Sequence, residues 1–278
     1  GLLLVLKFSF CDMKKNLGSV PFLNSKPLTY LFDKGSYPNY KTEFMYPSNL
    51  LESLISEKTF LSLISIADHF SDKRIQSLDQ YCISAIGKVD SVILVASSNI
   101  NKLEKVYLDP RSKSANILFK IIQEDFFNNK VEYDFLRPNI TNSYESNTGQ
   151  IIIGDLALKY VSQKPSGLKI YDLSEIWFKE TSLPFTFATF NYYKEKPGID
   201  EIKLLDDSFK EGIKNVDTMI KDFMLKYGSK VHLKLVETYL KERIVYEISK
   251  KHLEGINLFN KLSAKFAKWE KRSFNNIL

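Results

Sequence analysis

A two-lobed α/β fold with C-terminal helices is predicted from three features of the sequence. Short β-type runs alternate with helical stretches from Leu17 to about Asn191, the pattern of βαβ units and mostly parallel sheets. From Ile199 onward apolar residues recur at three- and four-residue spacing, which marks amphipathic helices. At 278 residues, 44% hydrophobic and 26% charged, the chain is long enough for two soluble lobes, each with its own core.

The first strand, at 17–22, runs into Asn24-Ser25, and Pro27 is a good first residue for a helix at 27–34. A strand at 42–46, a helix at 48–57 and a strand at 61–65 follow. The strand at 91–96 begins after Gly87-Lys88-Val89-Asp90. That at 105–108 is turned by Asp109-Pro110 into a helix at 113–125. Beyond a strand at 133–136, strands at 151–154 and 168–171 lead into helices at 155–162 and 173–181, and 185–191 is a last strand. After 199, apolar spacing through Leu235, Val236, Tyr239, Leu240, Ile244, Val245 and Ile248 reads as two or three helices, interrupted by few turn formers apart from Gly228 and Gly255. The chain is expected to cross between lobes near 95–100 and return near 184–188. Lobe I is then 13–95 plus 187–278 and lobe II 96–186, with a ligand cleft between them.

The composition narrows the function classes. The net charge of +6 comes from lysines dispersed over helix faces, with no recognition module, so a nucleic-acid partner is not expected. Two cysteines without paired spacing give neither a disulfide framework nor a zinc pattern and suit a reducing, cytoplasmic setting. The three histidines, His69, His232 and His252, are scattered, so no metal site is expected. The apolar run at 1–10 is too short to span a bilayer and lacks the flanks of a signal peptide. Residues 1–12 are expected to lie outside the functional fold, with Met13 and Lys14-Lys15 just ahead of the first strand. There is no G-x-G-x-x-G, P-loop, G-x-S-x-G elbow or kinase set, so any chemistry rests on positioning without a cofactor.

Five polar turns lie at strand ends, where open α/β folds bind ligands. Asn24-Ser25 offers an amide and a hydroxyl beside a helix start, either as ligand contacts or as helix caps. Ser91 stands at the mouth of a strand, either binding a carboxylate oxygen or simply opening the strand. Ser112 and Ser114 flank a helix N-terminus that, with its free N–H groups, makes an anion site or an ordinary cap. Asp155, after Gly154, is a ligand contact or a cap. Ser65 ends the strand before Asp68-His69, an adjacent pair whose side chains do not face one another and so form no dyad.

These turns, in this order, resemble a known family. V-P-F-L-N-S-K-P-L at 20–28 is similar to the opening of the menaquinone-biosynthesis chorismate dehydratases of the futalosine route. The likeness continues through G-K-V-D-S-V-I-L at 87–94, L-D-P-R-S-K-S-A-N-I-L at 108–118, I-G-D-L-A-L at 153–158 and Y-D-L-S-E-I-W-F-K-E-T-S-L-P-F-T-F-A at 171–188. It extends to Y-L-K-E-R-I-V-Y-E-I at 239–248 and G-I-N-L-F at 255–259, so it covers about 15–266. The resemblance implies a fold like the type II periplasmic binding proteins and a cofactor-independent lyase that converts chorismate, a dianion, to 3-enolpyruvylbenzoate and water. It implies Asn24 as the group contacting the reacting part of the substrate. Ser91, Ser112 and Ser114 become carboxylate binders, with Ser25, Ser65 and Asp155 as further substrate contacts. The proton acceptor is left open, a substrate carboxylate being one candidate. The chain departs from the family pattern at Asp68-His69, at Ser114-Ala115, at Glu57-Lys58-Thr59-Phe60 and at Phe190. A non-catalytic two-lobed binding protein for a small anion is the alternative reading.

Overall fold

A computed structural model describes residues 13–136 and 144–266, so the expectation for residues 1–12 lies outside the described residues. Two mixed sheets carry the fold. The first, in the order β11-β4-β10-β3-β1-β2, is built from β1 (Lys15–Ser19), β2 (Tyr40–Phe44), β3 (Leu61–Ser65), β4 (Gln76–Ala85), β10 (Phe185–Tyr192) and β11 (Ile244–Glu247). The second, in the order β7-β6-β8-β5-β9, is built from β5 (Val92–Ala96), β6 (Lys105–Leu108), β7 (Glu132–Phe135), β8 (Thr148–Ile153) and β9 (Lys169–Asp172). Central strands β3, β5 and β8 are buried along their whole length, as strands covered on both faces must be.

The expected βαβ logic holds where a helix follows a strand. α1 (Lys26–Asp33), α2 (Pro47–Ile55), α4 (Lys113–Ile121), α5 (Gly154–Gln163) and α6 (Leu173–Thr181) all fall on expected helices, and α3 (Ile66–Ser71) is an addition. β1 runs parallel to β2 and β3, and β6 runs parallel to β7 and β8. The expectation of mostly parallel sheets fails: β11 runs antiparallel to β4, and β5 and β10 are antiparallel to both their neighbours. The last two share a cause. Each is the first strand after the chain passes between sheets. It therefore starts at the edge where a neighbour ends: Val92 pairs with Ile153, and Phe185 with Ala85.

The first passage also differs from expectation. The chain leaves β4 at Ala85 and enters β5 at Val92, so the crossing lies at 86–91 and β5 belongs to the second sheet. The return, between Thr181 and Phe185, is close to the expected 184–188.

The C-terminal third holds α7 (Ile199–Lys214), α8 (Val216–Tyr227), α9 (Leu233–Thr238) and α10 (Lys250–Ser263), more helices than expected. The apolar run through Ile244 and Val245, expected to stay helical, instead widens into a π turn at Tyr239–Arg243 and becomes β11. β-Branched Ile244 and Val245 pair with Ala85 and Ser84 of β4, and that tertiary pairing overrides the helical spacing. α7 clamps α1: Ser208 Oγ donates to the Leu28 carbonyl at 2.9 Å and accepts the Leu31 N–H at 3.1 Å. A Cβ on Gly212 would sit 2.0 Å from the Pro27 carbonyl oxygen, so only glycine permits this approach. Among the described residues no helix is long and apolar enough to cross a membrane.

Candidate active site

The first wall of the site is the turn that follows β1. After Val20-Pro21-Phe22 the chain makes one 3₁₀ turn, Leu23–Ser25, with a proline in the first turn of the helix that follows. The Ser25 hydroxyl is fully buried and shared between the carbonyls of Val20 at 2.8 Å and Phe22 at 3.0 Å. It folds the turn and does not reach the cleft. Asn24 does: its side chain lines the cavity between the sheets, and its backbone carbonyl accepts the Tyr246 hydroxyl at 2.7 Å. Asn24 Oδ1 is buried without a hydrogen-bond partner.

The facing wall carries hydroxyls. Ser65 caps α3, its Oγ accepting the Asp68 N–H at 3.2 Å, and Ser114 Oγ accepts the Ala67 N–H at 3.0 Å. A hydroxyl that accepts in this way keeps its proton for another acceptor, so both can donate into the cavity. Ser112 is the N-cap of α4 and makes no side-chain cap bond, leaving the first N–H groups of that helix uncapped by it. Ser91 stands just before β5, and its carbonyl accepts the Gly154 N–H at 2.8 Å.

The cavity takes in about 590 Å³, its open mouth included. Five polar side chains line it, Asn24, Ser65, Ser91, Ser112 and Ser114, over an apolar remainder that includes Phe22, Phe187 and Ile244. All five were candidates from the sequence. Among the described residues, no carboxylate, imidazole, amine, guanidinium, thiol or phenol lies on that lining.

Asp155 is the second candidate that the fold turns away. Its Oδ1 accepts the Leu23 N–H from across the cleft at 3.1 Å, and its other side faces a groove shared with Lys26, Lys226 and Tyr227 behind the Asn24 turn. Burial raises its carboxyl to about 6, against the pull of the Leu23 N–H and the two lysines. Gly154, at φ +67°, lets the turn bend this way, and a Cβ there would lie 2.7 Å from the Phe22 ring. Further ties cross the cleft: Ser48 N–H to the Arg111 carbonyl at 3.2 Å, and Lys113 to Asp68 at 3.6 Å. The two halves are closed on one another around the cavity.

Other reactive residue types sit in the shell. His69 Nδ1 is 2.7 Å from Asn191 Oδ1 on β10, a tie between α3 and the sheet. His252 Nε2 lies 2.9 Å from Ser84 Oγ, which resembles a nucleophile pair. Ser84 Oγ, however, donates to the Val245 carbonyl at 2.7 Å and so accepts from Nε2–H, while His252 Nδ1 accepts the Ser249 N–H at 3.2 Å. Burial lowers the His252 pKa, keeping the ring neutral, and the trio bolts α10 to the sheet. Cys82 is fully buried off the cavity lining, its thiol pushed up to about 12 by desolvation, which leaves it inert. No group of three metal-ligating side chains occurs among the described residues. Tyr239 and Tyr246 behind Asn24 were not foreseen, because their segment read as the apolar face of a helix.

Comparison with known proteins agrees along most of the chain. The family described as Menaquinone biosynthesis matches residues 15–265. A relative from Campylobacter jejuni, named chorismate dehydratase, is 29% identical over 252 residues, covering 88% of this chain and 95% of the relative. Another of that name, from Thermus thermophilus, is 26% identical over 243 residues, covering 81% and 86%. Among solved structures, protein AF1704 from Archaeoglobus fulgidus superposes with a TM-score of 0.71 at 16% identity, covering 92% of this chain and 98% of that one. The alkanesulfonate-binding protein from Xanthomonas axonopodis pv. citri, bound to MOPS, gives 0.67 at 13% identity, covering 94% and 96%. At such identities the structures speak for the fold alone, which is that of the periplasmic binding proteins.

Proposed function

Because the chain belongs to the menaquinone-biosynthesis family, we propose that it is a chorismate dehydratase, a hydro-lyase that releases water and 3-enolpyruvylbenzoate. Two relatives of that name, each matched over more than four-fifths of this chain, support the reaction. The observation that carries the reading from the site itself is the lining: five neutral polar side chains around apolar walls, and no ionisable group among the described residues.

Chorismate suits such a site. The ring C3–H bond breaks, its electron pair becomes a ring double bond, and the C4–O bond breaks. The proton and the hydroxyl leave as one water, and the ring becomes aromatic. No electrons leave the substrate, so the step asks for no redox partner, and aromatisation supplies the driving force. The protein orients the ring, excludes water and donates hydrogen bonds to developing charge. Asn24 is the donor for the departing hydroxyl. Ser65, Ser91, Ser112 and Ser114, with the N-terminus of α4, hold the two carboxylates. The lack of a base on the lining supports a substrate carboxylate as the proton acceptor. Ser25 and Asp155 serve by shaping the turn that presents Asn24. The buried free thiol of Cys82 fits a reducing compartment, which supports a cytoplasmic location.

The test is to incubate the purified protein with chorismate and follow the aromatic product. Saturable turnover is expected. Saturable binding without product would make the chain a binding protein instead, and neither binding nor product would remove chorismate as substrate.

A further inference from the structure

Asn24 is held by a segment from the far end of the chain. The Tyr246 hydroxyl grips its backbone carbonyl at 2.7 Å. Tyr239, first residue of the π turn Tyr239–Arg243, lies fully buried behind the cavity wall, its hydroxyl beside the side chains of Ser91 and Asn24. That hydroxyl closes no well-formed hydrogen bond, and neither does Asn24 Oδ1, which is also buried. A buried phenol without a partner is costly where phenylalanine would fill the same volume, so its presence calls for a role. π turns inside helices often mark functional positions, and this one is where α9 is widened before β11.

The two unpartnered atoms are complementary. Burial drives the Tyr239 pKa well up, so its proton stays on and the group is a donor at neutral pH. Asn24 Oδ1 is an acceptor only. An asparagine amide free to turn about its last bond presents either its oxygen or its nitrogen to a ligand. Only the nitrogen can donate to a leaving hydroxyl.

We propose that Tyr239 is a positioning residue for the dehydration: its hydroxyl donates to Asn24 Oδ1 and so turns both amide N–H groups into the cavity. The proposal rests on the dehydratase reading, since it assigns a role within that reaction.

Two readouts test it. In kinetics with chorismate, Tyr239→Phe is expected to fold with a Tm close to that of wild type, to lose at least tenfold in kcat and to keep KM within threefold. In an Asn24→Ala background the same change is expected to alter kcat less than twofold. An unchanged kcat, or the same tenfold loss in the Asn24→Ala background, overturns the proposal. Independently, the side-chain amide signal of Asn24, in protein labelled with ¹⁵N-asparagine and assigned by its loss in Asn24→Ala, is expected to move in Tyr239→Phe. Should the wild type fail to turn over chorismate, the dehydratase reading fails and this signal alone decides the contact: a shift upholds it, no shift overturns it.

Discussion

The cavity and the shell behind it use opposite chemistries. The lining presents an amide and four hydroxyls. The shell holds Asp155, Asp68, His69, Cys82 and His252, all buried, and spends them on structure. Asp155 ties Leu23 across the cleft, Asp68 pairs with Lys113, and His252 bolts Ser84 to Ser249. This division fits a reaction whose driving force lies in the substrate. The site supplies orientation and neutral donors, while the ionisable groups hold the walls in place. Changes on the lining should therefore cost activity, and changes in the shell should shift stability while leaving turnover in place.

The largest expected effect is on the lining. Asn24→Ala should lower kcat with chorismate at least a hundredfold, about 3 kcal/mol of transition-state stabilisation. Its Tm should move little, because the Tyr246 contact that ties the turn to β11 is to the Asn24 backbone carbonyl and is kept in the variant. Parallel losses in kcat and Tm would return Asn24 to the role of a structural cap.

Gly154→Ala tests the seam between the two regions. Its φ of +67° and the 2.7 Å approach of a Cβ to the Phe22 ring give a left-handed backbone penalty and a steric clash. About 2 kcal/mol of stability should be lost, with KM rising as Phe22 is pushed from the cavity wall. A variant as stable as wild type with unchanged KM would show that the closed seam does not matter.

Ser84→Ala lies wholly in the shell. It removes the acceptor of His252 Nε2–H and should cost about 1–2 kcal/mol by thermal or urea unfolding. kcat and KM, measured well below Tm, should stay at wild-type values. A selective loss of kcat would break the division drawn here.

Much of the candidate site was legible in the sequence because the positions that line the cavity coincide with local turn signals. Asn24, Ser65, Ser91, Ser112 and Ser114 all stand at strand ends or helix starts, which sequence marks well. Direction was not legible. Asn24 and Ser25 are neighbours in one turn, yet backbone geometry sends one side chain to the cavity and the other to the carbonyls of Val20 and Phe22. Gly154 likewise turns Asp155 behind the wall. β4 was missed because Asp79, at φ +58°, and Gln80 break its alternation, and its burial comes from β10 and β11 on either side. β11 was misread because pairing with a strand so distant in the chain leaves no local trace. Tyr239 and Tyr246 fell with it.

The smallest effect separates the regions by pH. Asp155 has its carboxyl raised from 3.8 to about 6, chiefly by desolvation. A carboxyl that holds its proton more tightly folded than unfolded adds stability that is complete below about pH 3.8 and is lost as the pH rises through about 6. Acidifying from pH 7 to pH 5 should therefore stabilise wild type relative to Asp155→Asn by about 1 kcal/mol, from the share of the roughly 1.36 kcal/mol per pKa unit that falls in that window. Asp172 is raised to about 6 for the same leading reason and pushes total stability the same way, but it is present in both proteins and cancels in the difference. The asparagine keeps an oxygen for the Leu23 N–H, so the variant should fold, and at pH 7 it should match or exceed wild type. The measurement is Tm against pH for both proteins. Curves that stay parallel from pH 7 to pH 5 would mean that Asp155 is already solvated, and that the groove behind the Asn24 turn is wetter than its packing against Tyr227 and Lys226 implies.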